Sequence, residues 1–115
     1  MPVQGDQVGG VFRAATTTAY ETKTSTVTNA VLALSAAGWA WTAGNLALAD
    51  TAVIVAHTNP VCVTWDGTAP TVTTGTLIAT GTSVTIRGNA NIQNVKMIRQ
   101  GGADATVSVT LEKYV

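Results

Sequence analysis

Hydrophobic and polar side chains alternate most regularly near the end of the chain, between residues 105 and 112. The apolar positions are Ala105, Val107, Val109 and Leu111, and the polar positions between them are Thr106, Ser108, Thr110 and Glu112. A period of two places successive side chains on opposite faces of a strand. The pattern therefore predicts an antiparallel strand with one face in a core and the other toward solvent.

Shorter segments with related patterns predict further strands. Residues 61–65 and 84–87 each place their apolar side chains on one face, whereas residues 51–57 are apolar on both faces, which favours a central or interface strand. Residues 27–34 and 95–98 are two more predicted strands with mixed faces. The predicted core consists of Ala105, Val107, Val109, Leu111, Val84, Ile86, Val61, Val63 and Trp65.

Turn-forming dipeptides separate these segments at short intervals. They are Asn59-Pro60, Asp66-Gly67, Ala69-Pro70, Gly81-Thr82, Gly88-Asn89 and Gly101-Gly102. No segment keeps helical periodicity for more than a turn or two, and residues 35–37 are a candidate for such a turn. The spacing predicts an all-β protein of seven or eight strands, an antiparallel β-sandwich or a small jelly-roll-like barrel.

The first 23 residues differ from the rest in having many glycines and few bulky apolar side chains. We therefore predict two parts, an extended N-terminal arm over residues 1–23 and a β-sandwich domain over residues 24–115. Ordering a glycine-rich arm on its own costs conformational entropy that its few apolar groups do not offset. We expect the arm to lie on a neighbouring chain, with Val8, Val11 and Phe12 as partner-binding residues.

Charge is scarce, and this narrows the range of partners. Only 10% of the residues are Asp, Glu, Lys or Arg, against about 25% in ordinary soluble domains. The formal net charge is zero. This argues against nucleic acid and anionic membranes as partners, because both bind positively charged protein surfaces. No apolar run reaches the length of about 18 residues that a membrane-spanning helix needs. A surface poor in ions costs little to bury against another protein.

Candidate chemistry is sparse. A tight turn at residues 58–61 would bring His57 and Cys62 together across a hairpin, as a nucleophilic Cys–His pair requires. We favour the simpler interpretation, an ordinary cross-strand pair, because no third orienting group lies in sequence reach. The acidic residues are isolated, and Asp50, Asp66 and Asp104 are placed to begin or cap turns. We therefore expect no enzyme activity, no metal and no cofactor.

Two tryptophans form the other notable feature. Trp39 and Trp41 are two residues apart, so on an extended strand they would share one face. Such a pair can belong to a core or a subunit contact, or it can stack on sugar rings as a glycan-binding platform. We favour a core or partner contact and keep the glycan platform as the alternative.

Three segments of the second half carry a resemblance to a known group of proteins. They are NPVCVTWDGTAPTVTTG, GTSVTIRGNANIQNVKMIR and GGADATVSVTLEKY, at residues 59–75, 81–99 and 101–114. They resemble small accessory structural proteins of tailed-bacteriophage virions, of the head-decoration or spike and fibre type. The resemblance implies a β-sandwich that assembles as a symmetric oligomer, and it implies no active-site residues.

Three functions compete on this basis. The first is a capsid decoration (cement) protein, a homotrimer in the favoured form, that binds the major capsid protein and stiffens the phage head. It would be made in the host cytoplasm and reside on the capsid surface of the virion. The second is a tail, head-fibre or spike component that binds a receptor glycan through Trp39 and Trp41. The third is a small enzyme that uses Cys62.

Overall fold

Eight strands form two antiparallel sheets that pack face to face. The structure, a computed structural model, describes the backbone of residues 17–114 and the side chains of residues 21–113. The strands are β1 (Thr17–Val27), β2 (Leu32–Ala33), β3 (Thr51–Ala56), β4 (Val61–Thr64), β5 (Thr76–Ile78), β6 (Ser83–Arg87), β7 (Lys96–Arg99) and β8 (Ala105–Tyr114). The order β1-β8-β3-β6 defines sheet I, and the order β2-β7-β4-β5 defines sheet II. The predicted all-β sandwich is confirmed.

Between residues 17 and 114, helical structure is limited to single turns, as the lack of helical periodicity predicts. A 3₁₀ turn covers Ala37–Trp39, α1 covers Asn45–Leu48 and α2 covers Asn89–Gln93. The 3₁₀ turn and α1 lie between β2 and β3, so they lie in the long connection that carries the chain from sheet II to sheet I. This connection also contains both tryptophans of the predicted pair.

The core lies between the two sheets and contains the predicted alternating positions. Every apolar residue of the 105–111 pattern is at most 1% exposed, and Val61 and Val63 are fully buried. Ile86 is buried, whereas Trp65 and Val84 are partly buried and pack against the core. Other core members lie outside the predicted list, because in their segments apolar and polar residues do not alternate regularly: Leu34, Trp39, Ile54, Ile78, Ile92, Val95 and Met97.

The first strand begins earlier than the predicted domain boundary. Thr17 to Val27 form one strand, and its register with β8 runs from Thr17 opposite Tyr114 to Val27 opposite Ala105. The boundary predicted between residues 23 and 24 therefore lies inside β1, and residues 17–23 belong to sheet I. The predicted strand over residues 27–34 is also wrong, because β1 ends at Val27 and only Leu32–Ala33 form a strand.

Sheet II carries a covering segment on its outer side. All four residues of β4 are buried, although alternation turns only Val61 and Val63 toward the core. Residues 65–75 cover the other face, since the Thr64 hydroxyl donates to the Thr68 carbonyl and Cys62 Sγ contacts the Val72 carbonyl at 3.7 Å. Gly75 ends this segment with a φ of +123°, a conformation that L side chains rarely adopt.

Candidate binding surfaces

Sheet I has an outer face that no described segment covers, and two of its rows are uncharged. Strand register places Thr22, Thr110, Val53 and Thr85 side by side in one row. The next row contains Thr24, Ser108, Val55 and Ser83. The side chains in β1 and β6 are exposed, and those in the central strands β8 and β3 are half-buried. These eight residues define the threonine face, a flat patch of hydroxyl and methyl groups.

Polar contacts within and beside this face hold its side chains in place. The hydroxyls of Thr22 and Thr110 are 2.9 Å apart, and His57 Nε2 lies 2.8 Å from the Ser108 hydroxyl. At the opposite end of the strands, Thr51 Oγ1 donates to Glu112 Oε1 at 3.0 Å, and Arg87 lies opposite Thr51 in register. The threonine face is thus neutral, and a row with charged side chains borders it at one end.

His57 and Cys62 are not brought together. The predicted hairpin does not form, because β3 pairs with β6 and β8 whereas β4 pairs with β5 and β7. His57 is exposed beside the threonine face, and Cys62 is buried in sheet II. Burial raises the pKa of the Cys62 thiol, so the thiol form is favoured. The proximity that a Cys–His pair requires is absent, and the cross-strand interpretation of the two residues is wrong as well.

Asp66 and Asp104 have partners within their own turns. Asp66 Oδ1 accepts from the Thr68 backbone N–H at 2.9 Å, and this bond lowers the pKa of the carboxyl. Asp104 forms a 2.6 Å ion pair with Arg99 across the turn before β8. Among the side chains of residues 21–113, no group of three His, Cys, Asp or Glu is placed to hold a metal ion. No helix within residues 17–114 is long and apolar enough to cross a membrane.

Trp39 and Trp41 do come together, but not on a strand. Trp39 ends the 3₁₀ turn and Trp41 follows it, with Ala40 in a left-handed conformation at φ 55° between them. The two rings stack with centroids 5.6 Å apart and planes within 11°. Each indole N–H donates to a backbone carbonyl, that of Ala33 for Trp39 and that of Leu34 for Trp41. Trp39 is a core residue at 2% exposure, and Trp41 is partly buried.

An open groove lies beside Trp41, with a volume of about 340 Å³. We call it the Trp41 groove. Its lining residues are Ser35, Ala36, Ala37, Ala40, Trp41, Thr42, Ala43, Gly44, Leu46, Ala47 and Gln93. A second open pocket of about 270 Å³ lies beside Trp65 and Gly75 on sheet II. The sequence indicates the two tryptophans but not Gln93, because Gln93 is about fifty residues away along the chain and the fold alone brings it to the groove.

Glu21 fastens one wall of the Trp41 groove to sheet I. Its carboxylate accepts from the Thr42 backbone N–H at 3.0 Å, the Thr42 hydroxyl at 2.9 Å and Asn45 Nδ2 at 3.0 Å. Lys23 Nζ lies 3.6 Å away. Partial burial on its own would raise the pKa of Glu21, but the bonds from Asn45 and Thr42 and the charge of Lys23 outweigh it and lower the pKa. A residue of the predicted arm thus belongs to the domain's own polar network.

The remaining predicted partner-binding residues, Val8, Val11 and Phe12, lie outside the described residues. Comparisons of the chain with protein-family models, with curated proteins and with solved structures gave no significant match.

Proposed function

We propose that this chain is a capsid decoration (cement) protein of a tailed-bacteriophage head, which binds the major capsid protein through the threonine face. The single observation that carries this proposal is the pair of neighbouring uncharged rows across all four strands of sheet I. The resemblance of residues 59–75 and 81–114 to accessory virion proteins supplies the class of partner.

The threonine face has a low free-energy cost of burial against another protein. Threonine and serine lose little hydration on burial compared with ions, and their hydroxyls can both donate and accept hydrogen bonds across an interface. Val53 and Val55 add apolar area at the centre of the rows, where both are half-buried in the free chain. A neutral face with charges at its border matches the depletion of charge in the middle of protein interfaces.

The arm extends the same contact in this proposal. β1 is one of the two outer strands of sheet I, and it begins at Thr17, which follows the arm residues in the chain. Val8, Val11 and Phe12 would contact the major capsid protein or a second copy of this chain. We propose a homotrimer on the outer surface of the capsid, where a symmetric oligomer can bridge several shell subunits.

Charge placed on the threonine face tests the proposal. The variant Thr24→Lys with Ser83→Lys alters two exposed positions of the second row in the outer strands β1 and β6. We expect unchanged folding but loss of co-sedimentation with capsid shells that lack the protein, because two ammonium groups would be desolvated in the contact. Thr76→Lys, an exposed threonine in the outer strand β5 of sheet II, is the matched control.

Two results would contradict the proposal. One is equal binding to shells by the double variant and the control. The other is a copy number per virion, measured by quantitative mass spectrometry, of a few dozen or fewer rather than hundreds. A low copy number with retained virion association would favour the second candidate, a tail, fibre or spike component, for which the Trp41 groove supplies a binding surface.

A further inference from the structure

We propose that the Trp41 groove is a saccharide-binding site that takes a neutral sugar ring against the free face of Trp41. The site is independent of attachment through the threonine face, since its residues lie in the connection between β2 and β3 and in α2. It restricts the glycan-binding alternative, which the sequence left open for Trp39 and Trp41, to one groove, one indole ring and neutral sugars.

The first argument is the fixed position of the aromatic ring. Trp39 stacks nearly parallel on one face of Trp41, and Trp41 lines the groove, so the proposal assigns the sugar to the face of Trp41 opposite Trp39. The Trp41 N–H bond to the Leu34 carbonyl, at 3.0 Å, sets the rotation of the ring. A platform held in this way loses little conformational freedom when a ligand binds, which favours affinity. The electron-rich face of indole attracts the partly positive C–H groups on the flat side of a pyranose ring.

The second argument is the space in front of that ring. Five of the lining residues are alanine and one is glycine, so small side chains make up about half of the lining: Ala36, Ala37, Ala40, Ala43, Ala47 and Gly44. The volume of about 340 Å³ is near the lower end of the range for small-molecule sites, about 300–1,000 Å³. This space suits one or two sugar rings better than a folded protein surface.

The third argument is the polar rim. Gln93 Nε2 donates to the Leu46 carbonyl at 3.1 Å and approaches Asn89 Oδ1 at 3.4 Å, which orients the amide and leaves Oε1 as an acceptor. Ser35 and Thr42 add hydroxyl groups, and the Glu21 carboxylate holds Thr42 in place. Hydroxyl and amide groups around an aromatic face match the hydroxyls around the edge of a sugar.

Charge then narrows the ligand class. None of the lining residues carries a formal charge, so the groove offers no cation for a phosphate or a carboxylate and no anion for an amine. The nearby Glu21 carboxylate is already bonded to Thr42 and Asn45. A neutral ligand with one apolar C–H face and a hydroxyl edge is the class that satisfies both the ring and the rim.

Saturation-transfer NMR with the methyl glycosides of glucose, galactose, mannose, N-acetylglucosamine and N-acetylgalactosamine tests the proposal. We expect transfer to the ring C–H groups of at least one sugar. Trp41→Ala should raise the dissociation constant of that sugar, measured by NMR titration, by about tenfold or more. Ala43→Arg, at an exposed lining position, should block the groove without touching the core. Gln93→Ala should weaken binding less than either change.

Trp65→Ala is the matched control, because Trp65 is also partly buried but lies beside the other pocket. It should bind the sugar as the unchanged protein does. The proposal is overturned if none of the five glycosides receives saturation, or if Ala43→Arg binds as tightly as the unchanged protein. The Ala43→Arg measurement tests the proposal even if Trp41→Ala does not fold, because Ala43 is exposed and its replacement leaves the core unchanged.

Discussion

The outer faces of the two sheets differ in what covers them. In sheet II, residues 65–75 lie over β4, so that Cys62 and Thr64 are buried although they alternate with core residues. In sheet I, the corresponding threonine face stays open across four strands. One sheet therefore has a cover supplied by its own chain, and the other presents its outer side to solvent or to a partner.

This difference shows that alternation gives the direction of a side chain but not its burial. Residues 61–64 and residues 105–112 both alternate about the core, yet the polar side chains of β4 are buried and those of β8 are half-buried. The cover also explains the surroundings of Cys62, since a thiol on an open outer face would be accessible. The open face of sheet I is the surface that we propose for intermolecular contact.

The largest expected effect distinguishes the inner side of sheet I from the outer side. Val109→Asp should place an unpaired charge in a fully buried position and cost about 4 kcal/mol or more, enough to unfold a domain of ordinary stability. Thr110→Asp, one residue later on the threonine face, should cost about 1 kcal/mol or less, mainly through the lost bond to Thr22. Circular dichroism during urea unfolding measures both. Similar costs for the two changes would mean that the face assignment is wrong.

The next effect concerns the cover on sheet II. Gly75→Ala should cost roughly 1–3 kcal/mol, because the backbone there has a φ of +123° and an added Cβ would lie 3.0 Å from the Val63 carbonyl oxygen. We also expect Cys62 to react faster with a thiol reagent, since the strained cover should open more often. Gly102→Ala is the control, because a Cβ there meets nothing within 4 Å. An unchanged thiol reaction rate in Gly75→Ala would show that the cover does not depend on this glycine.

The sequence predicted the parts of this fold that follow from local periodicity. The inward faces of β4, β6 and β8 follow from alternation alone, and the restriction of helix to single turns in residues 17–114 follows from the lack of helical periodicity. Which strands pair did not follow, because residues 58–60 have the composition of a hairpin turn and yet connect two different sheets. Pairing depends on long-range contacts that turn chemistry does not specify.

The surfaces were less predictable than the core. Trp39 and Trp41 drew notice as a spaced pair, but their stack depends on Ala40 at φ 55° and on bonds to the Ala33 and Leu34 carbonyls. The threonine face requires the register of four strands, of which the sequence pattern indicated only some. Glu21 falls in the predicted arm because residues 1–23 have many glycines and few bulky apolar side chains, whereas its role depends on Thr42 and Asn45 in a distant segment.

The smallest expected effect is at the polar edge of sheet I, where Glu21 on β1 is bonded to Thr42 and Asn45. Glu21→Gln should lower the melting temperature at pH 7 by replacing a charged acceptor with a neutral one. Burial alone would raise the pKa of Glu21, but the bonds from Asn45 and Thr42 make the folded pKa lower than the ordinary value. The stabilising contribution is thus fully present above the unfolded pKa of about 4.3, and it disappears as the pH falls through the lower folded pKa.

The melting temperatures of the unchanged protein and of Glu21→Gln should therefore differ at pH 7 and converge as the pH falls toward 3, which differential scanning fluorimetry measures at a series of pH values. Thr24→Gln, an exposed change on the opposite face of the same strand, should give a difference that does not depend on pH in this window. A gap for Glu21→Gln that stays constant from pH 7 to pH 3 would show that the carboxylate charge contributes nothing and that only the shape of the side chain matters. A gap that closes would show that sheet I holds the wall of the Trp41 groove by an ionised bond.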